Sequence, residues 1–368
     1  MNNTTMFLPA FGNRPIELIG REDVIEGFRS GLSQPVGHPN RATLIIGQRG
    51  MGKTALLLEF SDHAEKAGFV VARATATDNI LDDLIGAIQI NGARFVKGQQ
   101  KVKGLSAGAF GFSLGLTFSA ESEKQLSFQN KLSLLVDELE KQNKGVVILI
   151  DEIQAHGKAL RLLTTAYQHL VGENKNIVIA MAGLPHAISS VLSDDVLTFF
   201  NRAKKIRLEP LALNAISVHF AKVFAGLEKK ISAENLDLTV KLTRGYPYLM
   251  QLIGYYLLEY AGNSPEISKN HIELANTSAM RDMIDNIYQP VVRLLSDKDI
   301  EFLKAMASSG NISRVSEIKN RLKVSDGLVQ AYRKRLLDAG VISTERRGEV
   351  AFTLPYFNEY LNGNFKTL

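Results

Sequence analysis

The segment Gly47–Thr54, with the sequence GQRGMGKT, constrains the fold of this chain more than any other stretch. It fits the pattern G-x-x-x-x-G-K-[ST] and lies between a short apolar run, Thr43–Ile46, and a helical pattern through Leu56, Leu57 and Phe60. Glycines let successive backbone N–H groups approach phosphate oxygens, and the following helix presents its positive end to the same place. The sequence therefore predicts a strand, a phosphate-binding loop and a helix, in that order.

Two side chains of this loop are predicted to carry its chemistry. Lys53 is expected to reach the β and γ phosphates of a nucleotide, and Thr54 to bind Mg²⁺. The rest of the loop is expected to surround the phosphates with backbone groups; it comprises Gly47, Gln48, Arg49, Gly50, Met51 and Gly52. The predicted cofactors are ATP or ADP together with Mg²⁺.

A second chemical element follows about a hundred residues later. The apolar run Val146–Ile150 is followed directly by Asp151 and Glu152. A strand of this kind is covered on both faces and delivers the two carboxylates to the carboxyl edge of a parallel sheet. Asp151 is then expected to hold Mg²⁺, and Glu152 to act as general base on the attacking water. The alternative is that the carboxylates only cap the next helix.

The chain is long enough for two or three domains. Residues 1–205 are predicted to form an α/β core with a largely parallel sheet, because strand-like and helix-like patterns alternate there. Residues 206–290 are predicted to be a helical subdomain, in which a helix starts at Pro247 and ends at Gly262. Residues 291–368 show three helices and then a β-hairpin.

One segment departs from this order. Residues 101–120 place aromatic and aliphatic side chains on one face of a strand, with Gly, Ser and Thr on the other. An inserted β-hairpin, about 97–120, is the preferred interpretation, and a surface for self-assembly is the alternative.

Composition narrows the class of protein. The 45% hydrophobic and 22% charged residues are typical of a globular protein, and no apolar run approaches the roughly 18 residues of a membrane span. The absence of cysteine excludes disulfides and thiolate metal sites. We expect a cytoplasmic protein without a membrane segment or secretory signal.

The positive charge is concentrated near the C-terminus. The window from Arg314 to Arg347 holds nine basic and four acidic residues, a surplus equal to the +5 of the whole chain. Such a surplus permits a polyanionic partner.

Taken together, these motifs resemble the AAA+ ATPases, in particular the archaeal origin-recognition initiators and the related STAND ATPases. The resemblance rests on the Walker A loop, the Asp-Glu end of the Walker B strand, the box around Gly20-Arg21-Glu22 and the Gly245-Tyr246-Pro247 start of a lid helix. It implies an α/β P-loop NTPase core, a helical lid and a C-terminal winged helix.

The resemblance also implies roles for single residues. Ile19, Gly20, Arg21 and Pro247 would contact the nucleotide, and Arg202 would be an arginine finger directed at a neighbouring subunit. A solvated arginine is the alternative for Arg202.

The chain departs from the family pattern at its two sensors. Gly183 ends the strand Ile177–Ala182 without the polar side chain usual at the first sensor, and Tyr248 stands at the second-sensor position, for which Arg244 is a substitute out of register. Slow hydrolysis is therefore expected.

In the implied winged helix, five residues are predicted to meet duplex DNA: Gln330, Arg333, Lys334, Arg346 and Arg347. Use of this module for protein interaction or oligomerisation stays open. Three functions are consistent with the sequence: an ATP-dependent DNA-binding protein that assembles on duplex DNA, a STAND-like signalling switch that acts on a protein partner, and a defence or mobile-element ATPase that serves a partner enzyme.

Overall fold

Five strands, each parallel to its neighbours, form a central sheet in the order β2-β3-β4-β1-β5. The strands are β1 Ala42–Ile46, β2 Val70–Thr75, β3 Val146–Asp151, β4 Ile177–Gly183 and β5 Lys204–Arg207. Because β1, β3 and β4 are buried along almost their whole length, both faces of the sheet are covered. The predicted parallel α/β core is confirmed, with strand ends shifted by one to three residues.

The computed structural model describes residues 6–10, 14–95, 127–153, 157–194 and 197–363. The inserted hairpin predicted at 97–120 lies outside the described residues. By internal packing the chain forms two compact units: a sheet unit, Glu22–Ile46 with Leu56–Arg207, and a lid unit, Met1–Arg21 with Gly47–Ala55 and Leu208–Leu368. The three domains bounded at 205 and 290 stay a prediction.

Helices of the sheet unit contribute its apolar core. Side chains from α3, α4 and α5 pack with those of β1 to β4 in one continuous cluster. Elsewhere in the unit the rings of Phe28 and Phe60 stack with their centroids 3.9 Å apart. The helices are α1 Glu22–Leu32, α2 Lys53–Lys66, which continues from the phosphate loop, α3 Ile80–Gly92, α4 Phe128–Glu140, α5 Lys158–Gly172 and α6 Pro185–Leu192.

The lid unit contains the predicted helical subdomain. Its helices are α7 Leu213–Gly226, α8 Ala233–Leu242, α9 Pro247–Ala261 and α10 Lys269–Met283. Helix α9 has Pro247 in its first turn and Gly262 at its C-terminal cap, as predicted. A π-helical turn, Ile284–Tyr288, leads from α10 into the short helix α11 Gln289–Val292.

The prediction that strands stop near residue 206 was wrong in detail. Two short parallel strands, β6 Lys230–Ile231 and β7 Glu266–Ile267, pair within the lid. At two residues each they are too short for a period-2 pattern to show in the sequence.

The C-terminal module, residues 296–363, has a winged-helix-like arrangement. Three helices and a three-stranded antiparallel sheet of order β8-β10-β9 are followed by one short helix. Strand β8 was not among the predicted elements, which were three helices and a β-hairpin; its three residues directly precede the helix that begins at Val315. The elements are α12 Asp297–Ala307, β8 Ile312–Arg314, α13 Val315–Leu322, α14 Asp326–Asp338, β9 Ile342–Thr344, β10 Glu349–Phe352 and α15 Phe357–Leu361.

Candidate nucleotide site and basic surface

The phosphate loop turns between the end of β1 and the start of α2 through two glycines in left-handed conformation. Gly50 has φ +70° and Gly52 has φ +85°, values that side-chain-bearing residues rarely adopt. A Cβ built on Gly52 would meet no atom within 4 Å beyond its chain neighbours. The loop therefore leaves open space in front of Gly52, beside the N-terminus of α2, where a phosphate group fits.

Lys53 closes the loop with its own side chain. Its Nζ donates hydrogen bonds to the carbonyls of Gly47 and Gln48, both at 2.9 Å. These bonds hold the ammonium group at the loop, where a negatively charged phosphate oxygen would attract it more strongly than a neutral carbonyl does. Thr54 is exposed in the first turn of α2. A hydroxyl in this place fits the oxygen ligands that Mg²⁺ prefers.

The start of the lid helix holds the backbone of the same loop. The buried hydroxyl of Tyr246 donates to the carbonyl of Arg49, and the backbone N–H of Tyr248 donates to the carbonyl of Gly50 at 3.3 Å. A Cβ on Gly50 would come within 2.5 Å of the Tyr246 hydroxyl oxygen. Burial raises the pKa of Tyr246 well above its usual range, so the hydroxyl keeps the proton that it donates. Sequence reasoning did not find this contact, because Tyr246 is almost two hundred residues from the loop.

The residues expected near the base also meet within the lid unit. The Arg21 guanidinium donates to the Glu209 carbonyl at 2.7 Å, and a Cβ on Gly20 would lie 3.2 Å from Leu211. The Leu211 N–H in turn donates to the Gly245 carbonyl at 2.8 Å. The box of Ile19, Gly20 and Arg21 is thereby tied to the segment that precedes Pro247 in the chain. Contact of these residues with a base stays a prediction.

In the sheet unit, Asp151 and Glu152 lie at the carboxyl edge. β3 and β1 are both paired with β4, and Ile46 at the end of β1 is in register with Gly183 at the end of β4. Asp151 is half-buried, and its Oδ1 accepts the Glu152 N–H at 2.9 Å. This bond to the backbone holds the Asp151 carboxylate at the carboxyl edge of the sheet.

Glu152 has a backbone conformation that its neighbours do not share. Its φ is +53°, and among the seven non-glycine residues with positive φ in the described chain it alone follows a strand. The other six lie next to helix termini, where a left-handed residue is common. Strained conformations of this kind cluster at functional sites, and the side chain of Glu152 is exposed.

The first-sensor position carries no polar group. A Cβ on Gly183 would lie 2.8 Å from Cγ1 of Ile153, so the place of a sensor side chain is filled by an apolar one. Arg202 ends the 3₁₀ helix Thr198–Arg202 just before β5, and it is exposed. Within the described residues its side chain forms no hydrogen bond or ion pair.

Both second-sensor candidates are engaged elsewhere in the lid unit. The Tyr248 hydroxyl accepts a hydrogen bond from Asn286 in the π-helical turn at 3.2 Å. Arg244 donates to Oε1 of Glu359 at 2.9 Å. Neither contact was evident in the sequence, because both partners lie tens of residues further along the chain.

The basic residues of the C-terminal module divide into two groups. Several are bound internally: Arg335 to Asp299 at 2.7 Å, Lys319 to Asp326 at 2.8 Å, Arg321 to the Ala305 carbonyl at 2.7 Å and Arg314 to Glu349 at 3.7 Å. Others are exposed and have no such partner among the residues that the structure describes; they include Lys334 on α14 and Arg346 and Arg347 in the β9–β10 turn. We call these three the basic surface.

Two further predicted contacts, Gln330 and Arg333, are linked to the wing. Arg333 is half-buried and donates to Oγ1 of Thr344 on β9 at 3.0 Å and to Gln330 at 3.4 Å. Arg333 therefore links α14 to strand β9. A ligand would have to compete with these internal hydrogen bonds, which the sequence did not indicate.

Comparison with known families agrees with this geometry. A family model described as an AAA ATPase domain matches residues 17–179, and a model described as a domain of unknown function, DUF8462, matches residues 285–361. No curated protein matched the chain.

Solved structures share the fold over almost the whole length. The Walker-type ATPase paby2304 of Pyrococcus abyssi has a TM-score of 0.67 at 19% identity, covering 95% of this chain and 97% of that one. The ORC2 protein of Aeropyrum pernix, in ADPNP–ADP complexes, has a TM-score of 0.62 at 15% identity, covering 97% and 95%. CDC6P of Pyrobaculum aerophilum has a TM-score of 0.51 at 15% identity, covering 97% and 96%. These likenesses show a shared fold, and the family match over residues 17–179 supports an ATPase domain of the AAA type in that part of the chain.

The described residues contain neither a candidate membrane-spanning helix nor a cluster of metal-ligating side chains. None of the helices there combines the length and the apolar character needed to span a bilayer. In the same residues, no three His, Asp or Glu side chains cluster in a way that would hold a metal ion by themselves.

Proposed function

We propose that this protein binds ATP with Mg²⁺ at Gly47–Thr54, hydrolyses it slowly, and binds duplex DNA through the C-terminal module. The observation that carries the nucleotide part is the loop itself, with Gly50 and Gly52 in left-handed conformation and the Lys53 ammonium at its mouth. This arrangement matches what a triphosphate requires: inward backbone N–H groups and one cation.

In the proposed reaction, each residue has one task. Lys53 binds β- and γ-phosphate oxygens, while Thr54 and Asp151 hold Mg²⁺, which neutralises charge on those oxygens. Glu152 accepts the proton of the attacking water, and the water oxygen forms its bond to the γ phosphorus as the bond to the β-γ bridging oxygen breaks. Support for Glu152 comes from its strained backbone at the carboxyl edge of the sheet.

Slow turnover is part of the proposal. At the first-sensor position Ile153 fills the space beside Gly183, and at the second Tyr248 is bonded to Asn286. A site without these polar groups binds nucleotide well and stabilises the transition state less, because preorganised donors supply much of that stabilisation. Arg202, exposed at the end of its 3₁₀ helix, is proposed to supply a cation to a neighbouring copy of the chain.

The DNA part rests on the basic surface. Lys334 on α14 and Arg346 and Arg347 in the β9–β10 turn are exposed cations on two neighbouring elements of one module. Exposed cations bind backbone phosphates by releasing counterions, and Gln330 is proposed to reach a base edge.

Steady-state ATP hydrolysis with Mg²⁺, with and without duplex DNA at low salt, tests this proposal, with Glu152→Gln as the blank. We expect a Glu152-dependent rate that DNA raises several-fold. A rate equal to the blank under both conditions, with ATP still bound, would refute the DNA-coupled ATPase.

A second candidate function is a nucleotide-controlled switch that acts on a protein partner. The apolar filling of the first-sensor position by Ile153 favours it, since a switch needs a long-lived ATP state. Turnover stimulated by a partner protein and indifferent to DNA would support the switch over the DNA-binding ATPase.

A further inference from the structure

The phosphate loop is held from the lid by a short turn, Thr243–Tyr248, which we call the lid turn. Tyr246 and Tyr248 bond the carbonyls of Arg49 and Gly50, as described above. Within the turn, Thr243 Oγ1 accepts the Gly245 N–H at 3.1 Å and donates to the Val240 carbonyl at 2.7 Å. The position of the loop backbone thus depends on the shape of this turn.

The other side of the lid turn is held by the C-terminal module. Arg244 donates to Glu359 Oε1 at 2.9 Å, and its guanidinium carbon lies 3.7 Å from the centre of the Tyr356 ring. The Tyr356 hydroxyl donates to the Leu242 carbonyl at 3.0 Å. Tyr356 and Glu359 therefore contact Arg244 in the turn and the carbonyl of Leu242 at the end of the helix before it.

Arg244 is the residue at which these contacts matter most. Its φ is +47°, a conformation that costs an arginine free energy and that is therefore sensitive to what surrounds it. The second carboxylate oxygen of Glu359, Oε2, is buried without a hydrogen-bond partner among the described residues. Glu359 consequently depends on Arg244 for compensation of its charge, and the two side chains hold each other in place.

We propose that Glu359 and Tyr356 are positioning residues for the phosphate loop, acting through Arg244 and Tyr246, and that the C-terminal module thereby sets the affinity for nucleotide. This rests on the proposed binding of ATP at the loop. Thermodynamic linkage makes the coupling reciprocal: a ligand of the C-terminal module that disturbs Glu359 weakens nucleotide binding, and nucleotide disfavours that disturbance by the same factor.

The experiment measures the dissociation constant of a fluorescent N-methylanthraniloyl ATP analogue with Mg²⁺, on the full chain and without DNA. Glu359→Gln keeps the shape of the side chain and removes its charge, so the interaction with Arg244 becomes weaker. We expect about 5-fold weaker binding, within the usual range of coupling between sites. Glu301→Gln is the matched control, because Glu301 forms an exposed ion pair with Lys298 at 2.8 Å in the same module. It should bind as the wild type does.

A double-mutant cycle separates positioning from a general loss of structure. If Arg244 and Glu359 act as one unit, Arg244→Gln with Glu359→Gln should weaken binding no more than either change alone. Thermal unfolding without nucleotide shows whether the variants are folded at the assay temperature, and Tyr356→Phe offers a milder change if they are not. Wild-type affinity in folded Glu359→Gln and Tyr356→Phe would overturn the inference. Failure of the wild type itself to bind the analogue would instead overturn the proposed function on which the inference rests.

Discussion

The phosphate loop and the basic surface both present positive charge to an anion, yet they are built in opposite ways. In the loop the backbone is fixed by Gly50 and Gly52 at positive φ, and the Lys53 ammonium is bonded to two carbonyls at 2.9 Å. The basic surface consists of long exposed side chains on α14 and on the β9–β10 turn. One site is shaped in advance, whereas the other can adapt to its ligand.

The difference predicts how each site responds to change. A loop of fixed backbone groups loses affinity when its dihedral angles are disturbed, and salt affects it little because its contacts are partly buried. A surface of exposed cations tolerates changes of shape but loses affinity steeply as salt rises. The two sites are therefore distinguished by backbone substitutions on one side and by salt on the other.

The largest effect is expected on nucleotide affinity, from the substitution Gly50→Ala. The new residue would be strained at φ +70°, and its Cβ would displace the Tyr246 hydroxyl, which lies 2.5 Å from that position. Strain of about 1–2 kcal/mol together with this displacement should lower nucleotide affinity by about 30-fold or more. Titration of a fluorescent ATP analogue measures it.

Two further glycines make this test specific. Gly52→Ala carries similar strain at φ +85°, and its methyl group would enter the open space where the phosphate fits, so it should also weaken nucleotide binding although it does not displace Tyr246. Gly86→Ala, inside α3 and also without neighbours within 4 Å, should leave nucleotide affinity unchanged and slightly stabilise the helix. Equal affinities for all three variants would show that the loop is not fixed by its backbone.

Much of the fold was predictable, because burial of the central sheet leaves a local pattern. The apolar run Val146–Ile150 and the glycine spacing of Gly47–Thr54 each report their own structure within a few residues. Strand β8 and the strands β6 and β7 escaped prediction. Three or two residues do not establish a period, and their pairing depends on partners distant in the chain.

The sites were predictable to different degrees for the same reason. The glycine pattern of the loop and the end of the apolar strand marked Lys53, Thr54 and Asp151 as candidates for the nucleotide and Mg²⁺ site. Their roles stay predictions. The internal bonds of Arg335 and Arg321 were not readable, because a count of basic residues does not distinguish a cation bound to Asp299 from one facing solvent. The contacts of the lid turn were equally hidden, since they join segments far apart in sequence.

An effect of intermediate size is expected on the affinity of the basic surface for duplex DNA. Replacement of Lys334, Arg346 and Arg347 together by Ala should lower affinity for duplex DNA on the order of 10-fold at low salt. It should also reduce the salt slope by about 2 to 3, one per lost phosphate contact. Fluorescence anisotropy with labelled duplex, repeated at several salt concentrations, measures both quantities.

The matched control removes three exposed lysines from the lid: Lys222, Lys230 and Lys241. It changes the net charge of the chain by the same amount, so it separates local contact from long-range attraction. A salt slope that falls equally in both variants would place the DNA surface elsewhere or reduce it to net charge.

The smallest effect is expected where a basic residue of the C-terminal module, Arg335, binds the buried carboxylate of Asp299. Asp299 is almost fully buried, and burial by itself would raise its pKa; hydrogen bonds from Arg335 and Ser296 outweigh this and lower it. Asp299→Asn removes the charge that Arg335 binds at 2.7 Å and should cost about 1 kcal/mol of unfolding free energy at pH 7, because the half-exposed Arg335 can regain water. Urea unfolding measures the difference.

The pH dependence of this loss identifies its cause. Because the folded-state pKa is lowered, the contribution of Asp299 is complete above its unfolded pKa of about 4 and disappears as the pH falls through the folded pKa. The gap between wild type and Asp299→Asn should therefore be constant from pH 7 to pH 5 and narrow below pH 4. Lys298→Ala, which breaks an exposed pair in the same helix, should change stability by less than about 0.5 kcal/mol. If the difference in unfolding free energy instead persisted at low pH, Asp299 would stabilise the module through packing. Its ion pair with Arg335 would then contribute little to stability.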